Sequence, residues 1–225
     1  MSRVHLHDSK AVEQRLIMYK IDYDFISKFK NKGNVLDVGC GNGSFMTIFE
    51  NAGYNVVGVE YGQEAAEVAS KNHNIIYGEF PDLNFEDKFD LVIFRGVLQY
   101  VPNPKDYIDK AISLLNNNGC IFITAQPNIE SLCFKLFKDK FTQPVTGIDF
   151  IGYSEPVLTK YFAEQRLHKI AEKYFYEETP YANIENDILE VASAINKTRN
   201  GEQLNFKSPA FYGNMISLVY IKKQY

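Results

Sequence analysis

The chain has 225 residues, of which 45% are apolar, with a formal net charge of −4 and a sequence isoelectric point of about 5.6. This length and apolar content suffice for one α/β domain with its own core, and the acidic balance argues against a broad phosphate-binding face for nucleic acid. No apolar run approaches the roughly 18 residues that a membrane span requires, and the first residues lack the apolar core of a signal peptide.

The first predicted element is a helix over residues 8–30. Apolar side chains recur there at intervals of three to four residues, among them Val12, Leu16 and Tyr19. This period is typical of an amphipathic helix. We expect the helix to pack at the edge of a sheet.

A strand, a glycine turn and a helix follow over residues 34–51. The apolar run at 34–38 predicts a strand that is buried on both faces. Gly39, Gly41 and Gly43 then give a backbone that turns tightly and lets a ligand approach main-chain N–H groups. Ser44 is the expected cap of the helix. A dinucleotide-binding fingerprint, G-x-G-x-x-G, would need a third glycine where Ser44 stands.

With Asp37 two residues before the first glycine, the stretch V-L-D-V-G-C-G-N-G resembles the first motif of class I S-adenosylmethionine-dependent methyltransferases. The resemblance implies that S-adenosylmethionine is the cofactor and that the turn binds its amino-acid arm. The residues it assigns to this contact are Asp37, Gly39, Cys40, Gly41 and Gly43. It also implies that residues 1–31 form a lid helix, from which the side chains that could reach the site are His5, His7, Arg15, Tyr19 and Lys20.

Acidic residues close the next two predicted strands, 55–60 and 74–77. Glu60 lies at the carboxyl end of its strand, where a carboxylate can accept both ribose hydroxyls of a nucleoside. Tyr61 is expected to lie against the adenine. By the same family resemblance, Glu79 takes the adenine amine and Phe80 packs on the adenine ring.

The fourth predicted strand, 89–94, leads into a stretch that resembles the family pattern V-L-x-H-V-x-D-P. Tyr100 stands where the family has histidine, and a tyrosine is a poor base near neutrality, so we expect it to position the acceptor or to act as a weak acid. Arg95 is counted among the cofactor-site residues. It is expected to form an ion pair with Asp37 or Asp90, or to recognise an anionic group of the substrate.

The rest of the chain predicts a helix over 104–115, a strand over 121–125, an inserted segment at 129–153, and then a helix, a strand, a helix over 183–197 and a closing strand over 214–221. The inserted segment is expected either to cover the substrate side or to form a plain core helix. The fold class that follows is α/β: a doubly wound, mostly parallel seven-stranded sheet with a C-terminal antiparallel hairpin. We expect one domain over 1–225.

The resemblance implies transfer of a methyl group to a small-molecule acceptor, and we expect an oxygen of a sugar, nucleotide-linked or phosphorylated metabolite. Candidate bases are His5 and His7, because imidazole titrates near neutral pH, followed by Tyr100, Tyr153 and Glu130. The alternatives are a non-catalytic S-adenosylmethionine-binding regulatory module and, less favoured, an NAD-dependent oxidoreductase.

Three cysteines at irregular spacing predict reduced thiols in a cytoplasmic protein, without a disulfide framework or a metal site. The expected partner is the small-molecule acceptor, with neither nucleic acid nor a membrane. The sequence leaves monomer and homodimer both open.

Overall fold

The computed structural model describes residues 9–142 and 152–223. Its strands are β1 (Asn34–Val38), β2 (Asn55–Glu60), β3 (Asn74–Tyr77), β4 (Phe89–Arg95), β5 (Leu115–Pro127), β6 (Leu167–Lys173) and β7 (Met215–Lys222). Its helices are α1 (Ser9–Ile26), α2 (Met46–Asn51), α3 (Gln63–Ala69), α4 (Pro104–Leu114), α5 (Leu132–Phe137), α6 (Glu155–Glu164) and α7 (Ile184–Arg199).

The strands form one seven-stranded sheet in the order β3-β2-β1-β4-β5-β7-β6. The first five strands run parallel, and β7 is antiparallel to both β5 and β6. This arrangement confirms the predicted fold class. The chain passes from β3 at one edge to β4 on the other side of β1, so the strand order reverses at β1. In open α/β sheets, ligands bind in the crevice at the carboxyl ends of the strands beside such a reversal.

Alternate residues of the central strands supply two apolar layers, one on each face of the sheet. One layer joins Leu36 and Val92 to side chains of α4 and α6. The other joins Val35 and Leu91 to Ile26 at the end of α1 and to residues of α2. Burial on both faces explains why these strands read as continuous apolar runs. It also fixes α1 and α2 on the same face, next to the glycine turn.

A smaller apolar cluster lies between α5 and α7. Cys133 and Phe137 of α5 contact Val191 and Ala194 of α7. The first part of the segment predicted to be an inserted cover is therefore a short packed helix, while residues 143–151 lie outside the described part. All three cysteines of the chain are buried and unpaired. Among the described helices, none combines the length and apolarity that crossing a bilayer requires.

The start of β5 differs from the prediction. The asparagines at 116–118 indicate a helix stop followed by a loop, but the structure extends the strand back to Leu115. Leu115 pairs with Phe89, the register then shifts, and Asn116 Nδ2 donates to Asp90 Oδ1 at 3.0 Å. Pairing with β4 thus supplies the hydrogen bonds that override the low strand propensity of asparagine.

Candidate functional site

The glycine turn opens a space at the carboxyl end of β1. A Cβ built on Gly41 would have no heavy atom within 4 Å, whereas one built on Gly43 would lie 2.3 Å from His73 Cδ2. Gly43 also has a φ of +80°, which residues with a side chain rarely adopt. The turn is therefore open on its Gly41 side and closed on its Gly43 side.

His73 forms the closed side of the turn. Its imidazole Nδ1 lies 2.8 Å from Glu50 Oε2, and its side chain is only 8% exposed. A histidine just after a predicted helix would ordinarily be expected to be solvated, but the structure buries His73. The contact between Glu50 of α2 and His73, which lies between α3 and β3, was not visible in the sequence because it is tertiary.

The helix after the turn begins without the predicted cap. Phe45 stands at the N-cap position of α2 and makes no side-chain capping bond. Ser44 instead donates through its hydroxyl and its backbone N–H to Asn42 Oδ1, at 2.8 and 3.2 Å. Asn42 thus holds the turn in shape, which is a common role for asparagine.

Glu60 ties the end of β2 to the turn. The Gly41 N–H donates to Glu60 Oε2 at 2.8 Å, and the Gly62 N–H donates to Oε1 at 2.7 Å. The residue is 8% exposed, and a carboxylate with two bonds still has acceptor capacity. Next to it, Tyr61 is 65% exposed, so its ring is accessible at the edge of the same space. The structure thus brings together the turn, the carboxylate and the ring that the sequence leads us to expect at the arm, the ribose and the base of the cofactor.

Asp37 and Cys40 lie beneath this space. Burial raises the pKa of Asp37 to about 7; Arg95 opposes the rise and Glu60 adds to it. Burial also raises the pKa of the Cys40 thiol, with smaller contributions from Asp37 and Glu60. Cys40 is therefore held as a neutral thiol and is unsuited to act as a nucleophile.

Glu79 and Phe80 occupy different environments. Glu79 is exposed, and the Tyr107 hydroxyl donates to its Oε2 at 2.6 Å. Phe80 is buried in the core, with its ring near those of Phe94 and Tyr107. The structure therefore offers Glu79 to a ligand but encloses Phe80, so we leave Phe80 out of the proposed ligand contacts.

Arg95 pairs with neither of its predicted partners. Its Nε donates to Asp22 Oδ2 of α1 at 2.8 Å, and its guanidinium lies 4.5 Å from the centre of the Tyr19 ring. Asp90, one of the predicted partners, accepts instead from the Asn34 backbone N–H at 2.9 Å. The C-terminal half of α1 is thereby anchored to the end of β4.

Asp22 belongs to a buried polar group that the sequence analysis missed. The Thr124 hydroxyl donates to Asp22 Oδ1 at 2.7 Å and lies 2.6 Å from the Ser217 hydroxyl. Burial raises the pKa of Asp22, while Arg95 and the hydrogen bond from Thr124 lower it. One signal was available in the sequence: Asp22 lies three residues after Tyr19 and four before Ile26, on the apolar stripe of its helix.

This polar group forms part of the wall of a cavity of about 500 Å³. The cavity lies between α1, the carboxyl ends of β4 and β5, the start of β7 and the segments around 175–181 and 209–214. Its aromatic lining residues are Phe175, Tyr176, Tyr181 and Phe211, and its charged ones are Arg15, Asp22 and Arg95. The volume falls in the range of small-molecule sites, about 300–1,000 Å³. The cavity lies next to the glycine turn, since Arg95 lines the cavity and its guanidinium lies 5.6 Å from the centre of the Phe45 ring, two residues after Gly43.

The other predicted site residues are spread out. His5 and His7 lie outside the described residues. Tyr100 is exposed. Tyr153 is buried, its hydroxyl donates to the Leu98 carbonyl at 3.2 Å, and burial raises its pKa, so the hydroxyl stays protonated and is unsuited to act as a base. Glu130 pairs with Lys135 at the surface. None of these three residues is among the described residues that line the cavity.

The described residues that were expected on the lid also lie in different places. Arg15 lines the cavity. Tyr19 packs against Phe45, with ring centres 5.1 Å apart. Lys20 is paired with Asp24 on the exposed face of α1. Within residues 9–142 and 152–223, no group of three or more His, Cys, Asp or Glu side chains is arranged to hold a metal ion.

A family model described as "Methyltransferase domain" matches residues 13–177. An uncharacterised protein of Methanocaldococcus jannaschii is 29% identical, over 58% of this chain and 62% of its own length. A ubiquinone biosynthesis O-methyltransferase of Hydrogenovibrio crunogenus is 26% identical, over 64% of this chain and 76% of its own length. Other relatives with the same name are matched over only about half their length, 44% and 51% in two examples.

Among solved structures, an S-adenosylmethionine-dependent methyltransferase of Thermotoga maritima, described as a possible histamine N-methyltransferase, has the same fold. It superposes with a TM-score of 0.64 and 16% identity, covering 95% of both chains. Together with the family match, this confirms the resemblance on which the sequence analysis rested.

Proposed function

Because the chain belongs to the methyltransferase domain family, we propose that it transfers a methyl group from S-adenosylmethionine to an oxygen atom of a small hydroxylated acceptor. The name of the Hydrogenovibrio relative supports oxygen as the methylated atom. That name also favours a quinone-type acceptor over the sugar or nucleotide-linked acceptor that we expected from the sequence.

The observation that carries the proposal is the pairing of Glu60 with the glycine turn beside a separate cavity. Main-chain groups between Gly39 and Gly43 would hold the amino-acid arm of the cofactor. Glu60 would accept the ribose hydroxyls, and Tyr61 and Glu79 would flank the adenine. Asp37 would lie beneath the arm. The cavity at the ends of β4 and β5 is left for the acceptor.

The cofactor, when bound, supplies an activated methyl group, so the main task of the chain is to align the acceptor in a dry pocket. Thr124 and Ser217 present hydroxyls to the cavity, and both can bond an acceptor hydroxyl. Asp22 accepts a bond from Thr124 and lines the same cavity. A carboxyl whose pKa is raised by burial suits the proton that leaves the acceptor oxygen, and we assign this role to Asp22.

Calorimetric titration with S-adenosylhomocysteine, and separately with NADH, tests the proposal. We expect heat from S-adenosylhomocysteine alone, and an affinity lowered about tenfold or more in Glu60→Gln, since the ribose loses a charge-assisted hydrogen bond. Glu64→Gln, which alters an exposed acid in the first turn of α3, is the matched control. Incubation with isotopically labelled S-adenosylmethionine and a panel of phenols, quinols and sugars, read by mass spectrometry, then tests transfer. Binding without labelling of any hydroxyl compound would support a non-catalytic module instead, and heat from NADH alone would support an oxidoreductase.

A further inference from the structure

An exposed carboxylate that follows β3 is held in place by a buried hydroxyl. The Tyr107 hydroxyl donates to Glu79 Oε2 at 2.6 Å, while Tyr107 itself is only 7% exposed. Exposed glutamates ordinarily move among several rotamers, because ordering a long side chain costs conformational entropy. The bond from Tyr107 removes part of that freedom before any ligand arrives. This is the arrangement expected of a preorganised binding group.

Tyr107 is in turn fixed by the core. It belongs to α4, and its ring packs against that of Phe80, with ring centres 5.8 Å apart. Burial raises the pKa of Tyr107, and the hydrogen bond to Glu79 also raises it. The hydroxyl therefore keeps its proton, and toward the carboxylate it acts as a donor.

Glu79 lies beside the position proposed for the adenosine. Tyr77 is the register partner of Glu60 in the parallel pair of β2 and β3, and the Gly78 N–H donates to the Glu60 carbonyl at 3.0 Å. Neighbouring strands lie about 4.8 Å apart. Glu79 therefore follows on the strand next to the carboxylate proposed for the ribose, on the side where we place the base.

The bond from Tyr107 also decides what the Glu79 carboxylate can offer to a ligand. An ionised carboxylate has only acceptors, and Tyr107 already donates to Oε2. No second hydrogen bond to this carboxylate is found in the described part of the chain. Oε1 therefore remains an acceptor on an exposed side chain, and it favours a ligand group that carries an N–H.

We propose that Tyr107 is a positioning residue for the cofactor: by fixing Glu79, it makes the site select a purine with a 6-amino group over a purine without one. Tyr107 acts only through Glu79 and does not itself touch the cofactor. The inference rests on the proposed function, because it concerns the base of the S-adenosylmethionine that this function requires.

The test compares S-adenosylhomocysteine with its 6-deamino analogue, in which hydrogen replaces the amino group of the purine. Both are titrated calorimetrically into the full chain and into Tyr107→Phe, which keeps the ring and loses the hydroxyl. We expect the original chain to bind S-adenosylhomocysteine about tenfold more tightly than the analogue, because only the amine donates a charge-assisted hydrogen bond to Glu79. In Tyr107→Phe this preference should fall to about threefold or less, while the affinity for the analogue changes about twofold at most.

The ratio of the two affinities separates positioning from a structural effect. A general loss of packing would weaken both ligands alike and leave the ratio unchanged. Tyr161→Phe is the matched control, because the Tyr161 hydroxyl likewise donates to a carboxylate of α4, that of Asp109, outside the proposed cofactor contacts. It should keep the tenfold preference of the original chain. Glu79→Ala, which removes the carboxylate itself, should abolish the preference.

Three results would overturn the proposal. They are equal binding of the two ligands by the original chain, a preference that is the same in Tyr107→Phe, and a preference that persists in Glu79→Ala. If neither ligand gives heat, the proposed function fails as well. If both ligands give heat but the ratio does not depend on Tyr107, only the positioning role fails.

Discussion

Asp37 makes the stability of this protein depend on pH in a way that one substitution should remove. Its carboxyl is buried at the end of β1, and burial raises its pKa from 3.8 to about 7. Because the pKa is higher in the folded chain than in the unfolded chain, the folded chain keeps a proton that the unfolded chain releases. The free energy of unfolding therefore falls as pH rises through the window between the two pKa values.

The magnitude follows from the size of this shift. A rise of roughly three pKa units corresponds to about 4 kcal/mol, at about 1.4 kcal/mol per unit. Most of this is lost between about pH 4 and about pH 7, so a comparison of about pH 5 with about pH 8 should capture about 3 kcal/mol of it. Asparagine has nearly the same shape as aspartate but does not ionise, so Asp37→Asn should lack this component.

Urea unfolding without added cofactor, at several pH values, measures the effect. We expect the stability of Asp37→Asn relative to the original chain to increase by about 3 kcal/mol from about pH 5 to about pH 8. Asp87→Asn, in the exposed loop before β4, controls for the loss of a carboxylate at the surface. If the pH dependence of Asp37→Asn coincides with that of the original chain, the argument from burial is wrong.

Three further substitutions test the site and the core. Gly43→Ala should weaken S-adenosylhomocysteine binding about tenfold or more, because the new Cβ would meet His73 and the positive φ would be strained; calorimetric titration measures this. Tyr107→Phe should cost about 1 kcal/mol of stability in urea, because Glu79 loses the hydrogen bond that orients it. Phe162→Ala should cost about 3–5 kcal/mol in the same assay, because it empties a fully buried ring position.

Each of these three expectations has a control or an opposing result. Gly53→Ala shares a positive φ but has open space around its Cβ, so it should leave cofactor affinity unchanged. If Gly43→Ala bound S-adenosylhomocysteine as tightly as the original chain does, the account of the closed side of the turn would be wrong. Unchanged stability in Tyr107→Phe would mean that water replaces the lost bond. Phe162→Leu should cost clearly less than Phe162→Ala, and equal losses would argue against a cavity effect.

The sequence by itself determined the elements whose signals are local. The apolar run around Leu36 predicted a strand buried on both faces, and the alternate glycines after it predicted an open turn. Glu60 was correctly expected at the carboxyl end of β2, since a strand signal and the residue that ends it are neighbours in the chain. The resemblance of these motifs then predicted the fold class, a mostly parallel seven-stranded sheet with an antiparallel C-terminal hairpin, because that fold accompanies the family.

Only the tertiary structure decided which polar groups meet. Arg95 and Asp22 are 73 positions apart, and only the docking of α1 brings them together, so the sequence suggested Asp37 and Asp90 as partners instead. The buried contact of His73 with Glu50 arises in the same way. Strand and turn signals depend on a few consecutive side chains and the backbone angles they allow. Ion pairs and cavities depend instead on how separate elements pack, and a single sequence does not specify that packing residue by residue.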